Sequence, residues 1–231
     1  MKRLIYVPII HTAADLGSLA KDVVRRGISD LGENLWEEHK KTVDEFWDAI
    51  STYFSSIDVS GAKIYQDGMV AEGEVGAKIV EEGVKLESKN YELVSRLIRR
   101  GAILVKTEDF KFVKEERDRL LAITGAKSTF QKLAAFIKYK LTKDKLLSKR
   151  DEFIVRSINE TLSHGERGIL FLGAYHDIKN NLPKSFVITE VKDIEKVREY
   201  QKLLPFYKKN RKRFNELGEY LVSPITETGG K

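Results

Sequence analysis

Residues 168–177, GILFLGAYHD, limit the possible folds of this chain more than any other stretch. The first five are apolar or glycine, a run too short for a helix and typical of a strand buried on both faces. Gly173 ends this run, and His176 follows where the chain leaves the sheet. Open α/β sheets hold their ligands at that carboxyl edge. His176 is therefore a candidate site residue.

Four other stretches have the composition of strands and alternate with helical patterns. They are residues 3–10 (RLIYVPII), 63–66 (KIYQ), 102–106 (AILVK) and 185–191 (SFVITEV). Pro8 indicates that the first of them is an edge or terminal strand. The alternation predicts an α/β fold with a central, largely parallel sheet of about five strands wrapped by helices.

Helices are predicted where apolar residues recur about every 3.6 positions. They cover residues 16–28, 31–57, 74–86, 90–100, 110–123, 128–147 and 149–163. The stretch 110–147 is a helical excursion, read as a cap or oligomer arm, and residues 193–231 form a basic helical tail interrupted at Pro205. Because no repeat or linker divides the chain, we expect a single domain over residues 1–231.

Composition excludes several classes of protein. No apolar run approaches the length of a membrane span, and the amino-terminal residues do not resemble a signal peptide, so we expect a cytoplasmic protein without a membrane partner. The chain has no cysteine, which excludes disulfides, thiol nucleophiles and thiolate metal sites. Any metal ligands must come from Asp, Glu and the four histidines.

A basic run lies at residues 207–214, YKKNRKRF, within a chain whose net charge is only +6. Five cations between two aromatic residues are a pattern that contacts phosphates. A single run of this kind is weak support, so nucleic acid is not expected as a partner. The chain has no P-loop, dinucleotide fingerprint, Gly-x-Ser-x-Gly elbow or zinc-finger spacing.

Polar residues follow each of the first four predicted strands. They are His11, Asp67, Glu108 with Asp109, and His176 with Asp177. The carboxyl ends of parallel strands meet at one edge, so we expect these side chains to lie together. Arg150 starts the helix that leads back to the fourth strand, and its first turn should reach the same edge.

Three motifs carry a resemblance to a known group of proteins. They are PIIH (residues 8–11), RDEFIVRSINETL (150–162) and GILFLGAYH (168–176). Together they resemble the TraB/Tiki/ChaN/erythromycin-esterase-like superfamily, which has two Gly-x-x-His motifs, an acidic residue after an intervening strand and an Arg-bearing helix. This sequence differs from the family pattern at two positions. Pro8 stands where the first motif has its glycine, and Asp67 follows the second strand where the family more usually has Glu. The resemblance implies the fold, and its members include metal-dependent peptidases, metal-independent esterases and a haem-binding lipoprotein.

The favoured function is a hydrolase of the peptidase or esterase type, acting on a small molecule or a peptide. In its metal-dependent form, His11 and His176 with Asp67 or Glu108 bind a divalent ion such as zinc, manganese or cobalt, which activates water. Arg150 then stabilises the oxyanion. In its metal-free form, one histidine is the general base, a carboxylate orients it and Arg150 is the electrophile.

The alternative is a binding protein without turnover. Here the sheet edge around Gly173 and Asp109 holds haem, a nucleotide or another anion, and Tyr175 forms a stacking wall. The helical excursion is then a lid or the arm of a homodimer. Either function places its ligand at the same edge.

Overall fold

Residues 1–125 and 128–225 are described by a computed structural model, in which five strands form one parallel sheet. The strands are β1 (Lys2–Ile9), β2 (Lys63–Gln66), β3 (Ile103–Val105), β4 (Arg167–Gly173) and β5 (Phe186–Glu190). Their order across the sheet is β3-β2-β4-β1-β5. The central position of β4 agrees with its fully apolar middle, and the predicted α/β class is confirmed.

Eight α-helices lie among the described residues. They are α1 (Ala20–Leu31), α2 (Glu33–Ser56), α3 (Gly73–Lys85), α4 (Lys89–Arg99), α5 (Phe110–Thr124), α6 (Thr129–Thr161), α7 (Ile194–Leu203) and α8 (Arg211–Val222). Two short 3-10 helices, Ala14–Leu19 and Leu204–Lys209, precede α1 and α8.

The two longest helices cover opposite faces of the sheet. Tyr65 of β2 is in register with Leu170 of β4, and its hydroxyl lies 2.8 Å from that of Thr161 in α6. Phe171 is next along β4 and points to the other face. There its ring packs on Phe54 of α2, with the ring centroids 5.8 Å apart. The sheet is therefore buried on both sides, as its apolar strands require.

Pro8 lies in an interior strand, so the predicted edge position of β1 was wrong, although β1 is the first strand along the chain. β1 pairs with β4 on one side and β5 on the other. The Tyr6 carbonyl accepts the N–H of Val191, which shows that Tyr6 faces β5 and that Pro8, two residues on, faces the same way. The β5 ladder ends at Glu190, opposite Tyr6. Pro8 therefore lacks an N–H at a position where no strand needs one.

A single 33-residue helix, α6, replaces the two helices predicted over residues 128–147 and 149–163. Neither glycine nor proline lies between those ranges, so nothing stops the helix. Arg150 consequently lies within α6 and not at a helix start. The first part of α6 pairs with α5 as the predicted helical excursion, of which residues 126–127 lie outside the described part.

The carboxyl-terminal tail packs on the core through its aromatic residues. Phe214 is buried and stacks on Tyr200, with centroids 4.7 Å apart. All five cations of the basic run are exposed, and the Arg213 guanidinium also pairs with Glu199 at 2.8 Å. Residues 226–231 of the predicted tail lie outside the described residues.

Candidate functional site at the carboxyl edge of the sheet

The ends of four parallel strands bring the predicted polar residues together. His11 lies two residues after β1 and Asp67 directly after β2. Glu108 and His176 each lie three residues after the ends of β3 and β4. Because β4 is inserted between β1 and β2, residues that are far apart in the chain become neighbours at one edge.

Asp67 is the centre of this cluster, and its carboxylate is almost fully buried. Its Oδ2 atom lies 3.5 Å from His11 Nε2 and 3.9 Å from His176 Nε2, and it accepts the Gly173 N–H at 3.0 Å. Its Oδ1 atom accepts a hydrogen bond from Arg150 at 2.8 Å. Burial alone would favour the neutral acid, but the neighbouring histidines and Arg150 hold the pKa of Asp67 well below its usual value.

Gly173 leaves a small hollow between the two imidazoles. A Cβ atom at this position would lie 3.2 Å from Asp67 Oδ2, 3.6 Å from His176 Cδ2 and 3.8 Å from His11 Nε2. The three groups therefore surround the volume that a side chain would otherwise fill. A reacting atom in this hollow is within reach of both rings.

His176 is held in one orientation by Asp151. Its Nδ1 atom lies 2.5 Å from Asp151 Oδ1, and the other oxygen of Asp151 accepts the backbone N–H of Asp177 at 3.0 Å. The ring is buried, so Nε2 is left to face Asp67 and the hollow. Burial lowers the pKa of His176, but the carboxylates of Asp151 and Asp67 outweigh it and raise the pKa above 6.5.

His11 lies where the site opens to solvent, and 41% of its side chain is exposed. Its pKa is also raised, because the hydrogen bond and charge of Asp67 outweigh desolvation of the ring. The two histidines thus share one carboxylate but differ in access to solvent.

Arg150 binds three carboxylates and has little exposed surface. Its Nε and Nη2 atoms donate to the two oxygens of Glu108 at 2.5 and 2.6 Å, Nη2 also donates to Asp67, and Nη1 donates to Glu116 of α5. Burial raises the pKa of Glu108, and Arg150 opposes this shift. Arg150 was predicted to meet a substrate, yet all three of its nitrogens already have carboxylate partners.

Glu108 also fixes the loop after β2, because its Oε1 atom accepts the Gly68 N–H at 2.7 Å. The Glu108–Arg150 pair therefore links β2, β3 and α6 behind Asp67. In this arrangement Glu108 reaches Asp67 through Arg150, which donates to both carboxylates.

Two predicted ligand-binding residues lie away from the hollow. Asp109 caps α5 by accepting the Lys111 N–H at 2.8 Å. Tyr175 is about half exposed, at 49%, and no contact joins its ring to the cluster among the described residues. Of the three residues predicted to bind a ligand without turnover, only Gly173 contacts the cluster.

Two participants were not among the predicted site residues. Asp151 follows Arg150 directly at the start of the motif RDEFIVRSINETL, and this Arg-Asp pair was the available signal. Glu116 had no signal, because its contact with Arg150 depends on how α5 packs along α6.

The same donors were also predicted to hold a divalent ion. Within residues 1–125 and 128–225, no group of three or more His, Asp or Glu side chains has the arrangement to hold a metal ion. Both oxygens of Asp67 already accept hydrogen bonds, from Gly173 and from Arg150.

Comparison with protein-family models, curated proteins and solved structures gave no match. The resemblance to the TraB/Tiki/ChaN/erythromycin-esterase-like superfamily accordingly stays a prediction, as do the cytoplasmic location and the homodimer. No helix in the described ranges has both the length and the apolar composition needed to cross a bilayer.

Proposed function

We propose that this protein is a metal-independent hydrolase of the esterase or peptidase type, with His176 as general base and His11 as general acid. One observation carries the proposal: Nε2 of His11 and Nε2 of His176 lie 3.5 and 3.9 Å from the same atom, Asp67 Oδ2. Two imidazoles that face one hollow from different strands can serve one reaction, because one can accept a proton from the attacking water and the other can donate a proton to the leaving group.

His176 has the environment of a base. Its contact with Asp151 holds the Nδ1–H tautomer and leaves the lone pair of Nε2 directed to the hollow. In the neutral form, Nε2 accepts a proton from a water molecule whose oxygen attacks the substrate carbonyl carbon. Asp151 stabilises the imidazolium that forms, in the way a carboxylate supports histidine in hydrolytic triads.

His11 has the environment of an acid. The pKa values of both rings are raised, so the roles are assigned by position: His11 is exposed to an approaching substrate, whereas His176 is buried against Asp151. The attack gives a tetrahedral intermediate. As this intermediate collapses and the carbonyl forms again, the bond to the leaving group breaks and His11 Nε2 donates a proton to the departing oxygen or nitrogen. His176 then loses its extra proton to water and His11 takes one from water, which restores both rings to their starting states.

Asp67 and Arg150 act in this proposal as positioning residues. Asp67 lies beside Nε2 of both rings and accepts the Gly173 N–H, and Arg150 donates to both Asp67 and Glu108. An electrophilic role for Arg150 has no support here, since its nitrogens are engaged by carboxylates. Of the members of the superfamily that the sequence resembles, the metal-independent esterases agree with this chemistry, and we retain membership as part of the proposal.

The test is hydrolysis of a panel of 4-nitrophenyl esters and amino-acid 4-nitroanilides, measured with and without chelator. We expect turnover that survives the chelator and falls by at least about 100-fold in His176→Ala and in His11→Ala. His164→Ala is the matched control, because His164 lies before β4 at the opposite edge and contacts the amino terminus. Unchanged hydrolysis in both site variants would overturn the proposal, and tight binding of a compound recovered intact would favour the binding protein.

A further inference from the structure

The first half of α6 carries an apolar stripe that stays exposed in the described part of the chain. Its residues are Phe130, Ala134, Ile137 and Leu141, and Phe130 and Leu141 are 81% and 79% exposed. Intervals of four, three and four residues place them on one side of the helix, within about 60° of arc. We call these four residues the α6 seam.

The seam faces away from the helix that packs on α6. Ala135 and Tyr139 line the groove between α5 and α6, and Leu146 is buried. Residues at these positions lie on the opposite side of the helix from the seam. α5 therefore leaves the seam open, and a contiguous apolar stripe of about three helical turns is typical of an interaction site.

The spacing of the seam selects a helix as its partner. Alternating intervals of three and four residues form the contact face of coiled coils, in which apolar side chains pack between those of the facing helix. A helix that lies in a membrane surface instead separates a large apolar face from a strongly charged one. Because the seam covers only about 60° of arc, its shape favours a facing helix over a membrane.

Positive charge is concentrated on the α5–α6 hairpin, residues 110–149. These residues include eleven Lys and Arg but only four Asp and Glu, a net charge of +7 in a chain whose total is +6, which leaves −1 for all other residues. Lys138 and Lys145 border the seam on one side and Lys140 borders it on the other, and all three are exposed. The seam is therefore an apolar stripe with basic borders.

The acids of the hairpin lie beside cations that do not border the seam. The pairs are Glu115 with Arg119, Glu116 with Arg150, Asp118 with Lys114, and Asp144 with Lys143. The positive charge along the borders is thus left in place. A second copy of the hairpin would bring the same lysines and another charge of +7, so like charges oppose self-pairing across the seam.

We infer that the α6 seam binds an amphipathic helix of another protein, with apolar residues at the same spacing and Asp or Glu on both sides of them. The apolar residues of that helix cover the seam, and its acids pair with Lys138, Lys140 and Lys145. The inference goes beyond the proposed function, because none of the residues given a role in hydrolysis belongs to the seam or its borders.

Isothermal titration calorimetry of the full chain with three synthetic peptides tests the inference. The acidic probe consists of three heptads with Leu at the two apolar positions and Glu at the two border positions. The basic probe has Lys at the border positions, and the polar probe keeps Glu but has Ser in place of Leu. We expect the acidic probe to bind at least about 10-fold more tightly than either of the others. Binding that does not depend on the border charge, or on Leu, would overturn the inference.

Substitutions of exposed apolar residues show whether the acidic probe occupies the seam. Ile137→Ser/Leu141→Ser should weaken its binding by at least about 10-fold, because both side chains would be covered by the probe. Val75→Ser is the matched control, since it changes an exposed apolar residue on α3, and it should bind as the wild type does. Undiminished binding in the seam variant would place the probe elsewhere and overturn the inference.

Reversal of the border charge tests the acidic character of the partner. Lys138→Glu/Lys145→Glu should prefer the basic probe to the acidic one. The control Lys78→Glu/Lys212→Glu makes the same change in net charge at exposed lysines of α3 and α8, and it should keep the wild-type preference. An equal loss of preference in both variants would mean that only the net charge of the protein matters, against the inference.

Two further measurements distinguish the other occupants. If sedimentation shows a dimer that Ile137→Ser/Leu141→Ser dissociates, the seam belongs to a second copy of this chain. If phosphatidylserine vesicles bind the wild type and not this variant, the seam belongs to a membrane. Either result would overturn the inference, whereas a monomer that binds the acidic probe upholds it, whether or not the protein hydrolyses an ester or amide.

Discussion

Asp151 Oδ1 lies 2.5 Å from Nδ1 of His176, although the two residues come from α6 and from the loop after β4. Asp151 also accepts the Asp177 N–H through its other oxygen, and this second hydrogen bond fixes the orientation of the carboxylate. The contact leaves only Nε2 of His176 to react.

Replacing Asp151 by Asn should therefore lower kcat by at least about 100-fold while KM changes little, because the amide no longer stabilises the imidazolium. A structural role alone would change KM and the unfolding temperature together. Steady-state kinetics on the best ester of the panel, with thermal unfolding in parallel, makes the distinction. A variant with wild-type kcat would exclude Asp151 from the proposed mechanism.

The rate of hydrolysis should depend on pH in a bell shape. His176 must be neutral to act as base, so activity rises as pH passes its pKa; His11 must be protonated, so activity falls as pH passes its own. Neighbouring carboxylates raise both values, which puts the two midpoints above 6.5. These midpoints belong to the coupled pair. A profile of kcat/KM with its rising limb centred below pH 6.5 would contradict this assignment.

Much of the site was predictable because it depends on strand ends. Short apolar runs identify β2, β3 and β4, and parallel strands bring His11, Asp67 and His176 to one edge. Local sequence is enough for such a prediction. The hollow at Gly173 follows from the same register.

The partners of Arg150 could not be predicted in the same way. The sequence indicated that Arg150 reaches the edge, and its guanidinium contacts Asp67 there, although from the middle of α6 and not from a helix start. The acids that become its partners are set by the packing of the helices, because Glu116 contacts it from α5 and Glu108 from the loop after β3.

Removal of the Arg150 charge should destabilise the fold. Arg150→Met leaves Asp67 and Glu108 buried without their cation, which costs about 3–5 kcal/mol of unfolding free energy for a broken buried pair. Adding Glu108→Gln should restore part of this loss. Arg117→Met, on α5 with an exposed side chain, is the control and should change stability by less than about 0.5 kcal/mol. Urea unfolding in which Arg150→Met matches the control would refute the buried network.

A methyl group at Gly173 should block the hollow. The new Cβ would lie 3.2 Å from Asp67 Oδ2, too close to leave room for a water between the rings. We expect Gly173→Ala to fold and to lose at least about 100-fold in hydrolysis, the contribution typical of an acid–base group. Gly218→Ala in α8, where a Cβ has only ordinary contacts at 3.9 Å or more, should keep full activity. Full activity in Gly173→Ala would mean that the reaction takes place elsewhere.

Titration of the two histidine rings by NMR tests the central claim that His11 and His176 share the carboxylate of Asp67. In the wild type both pKa values should lie above 6.5, and in Asp67→Asn both should fall, because each ring loses the same negative charge. A fall at only one ring, or at neither, would contradict the shared carboxylate and with it the proposed site.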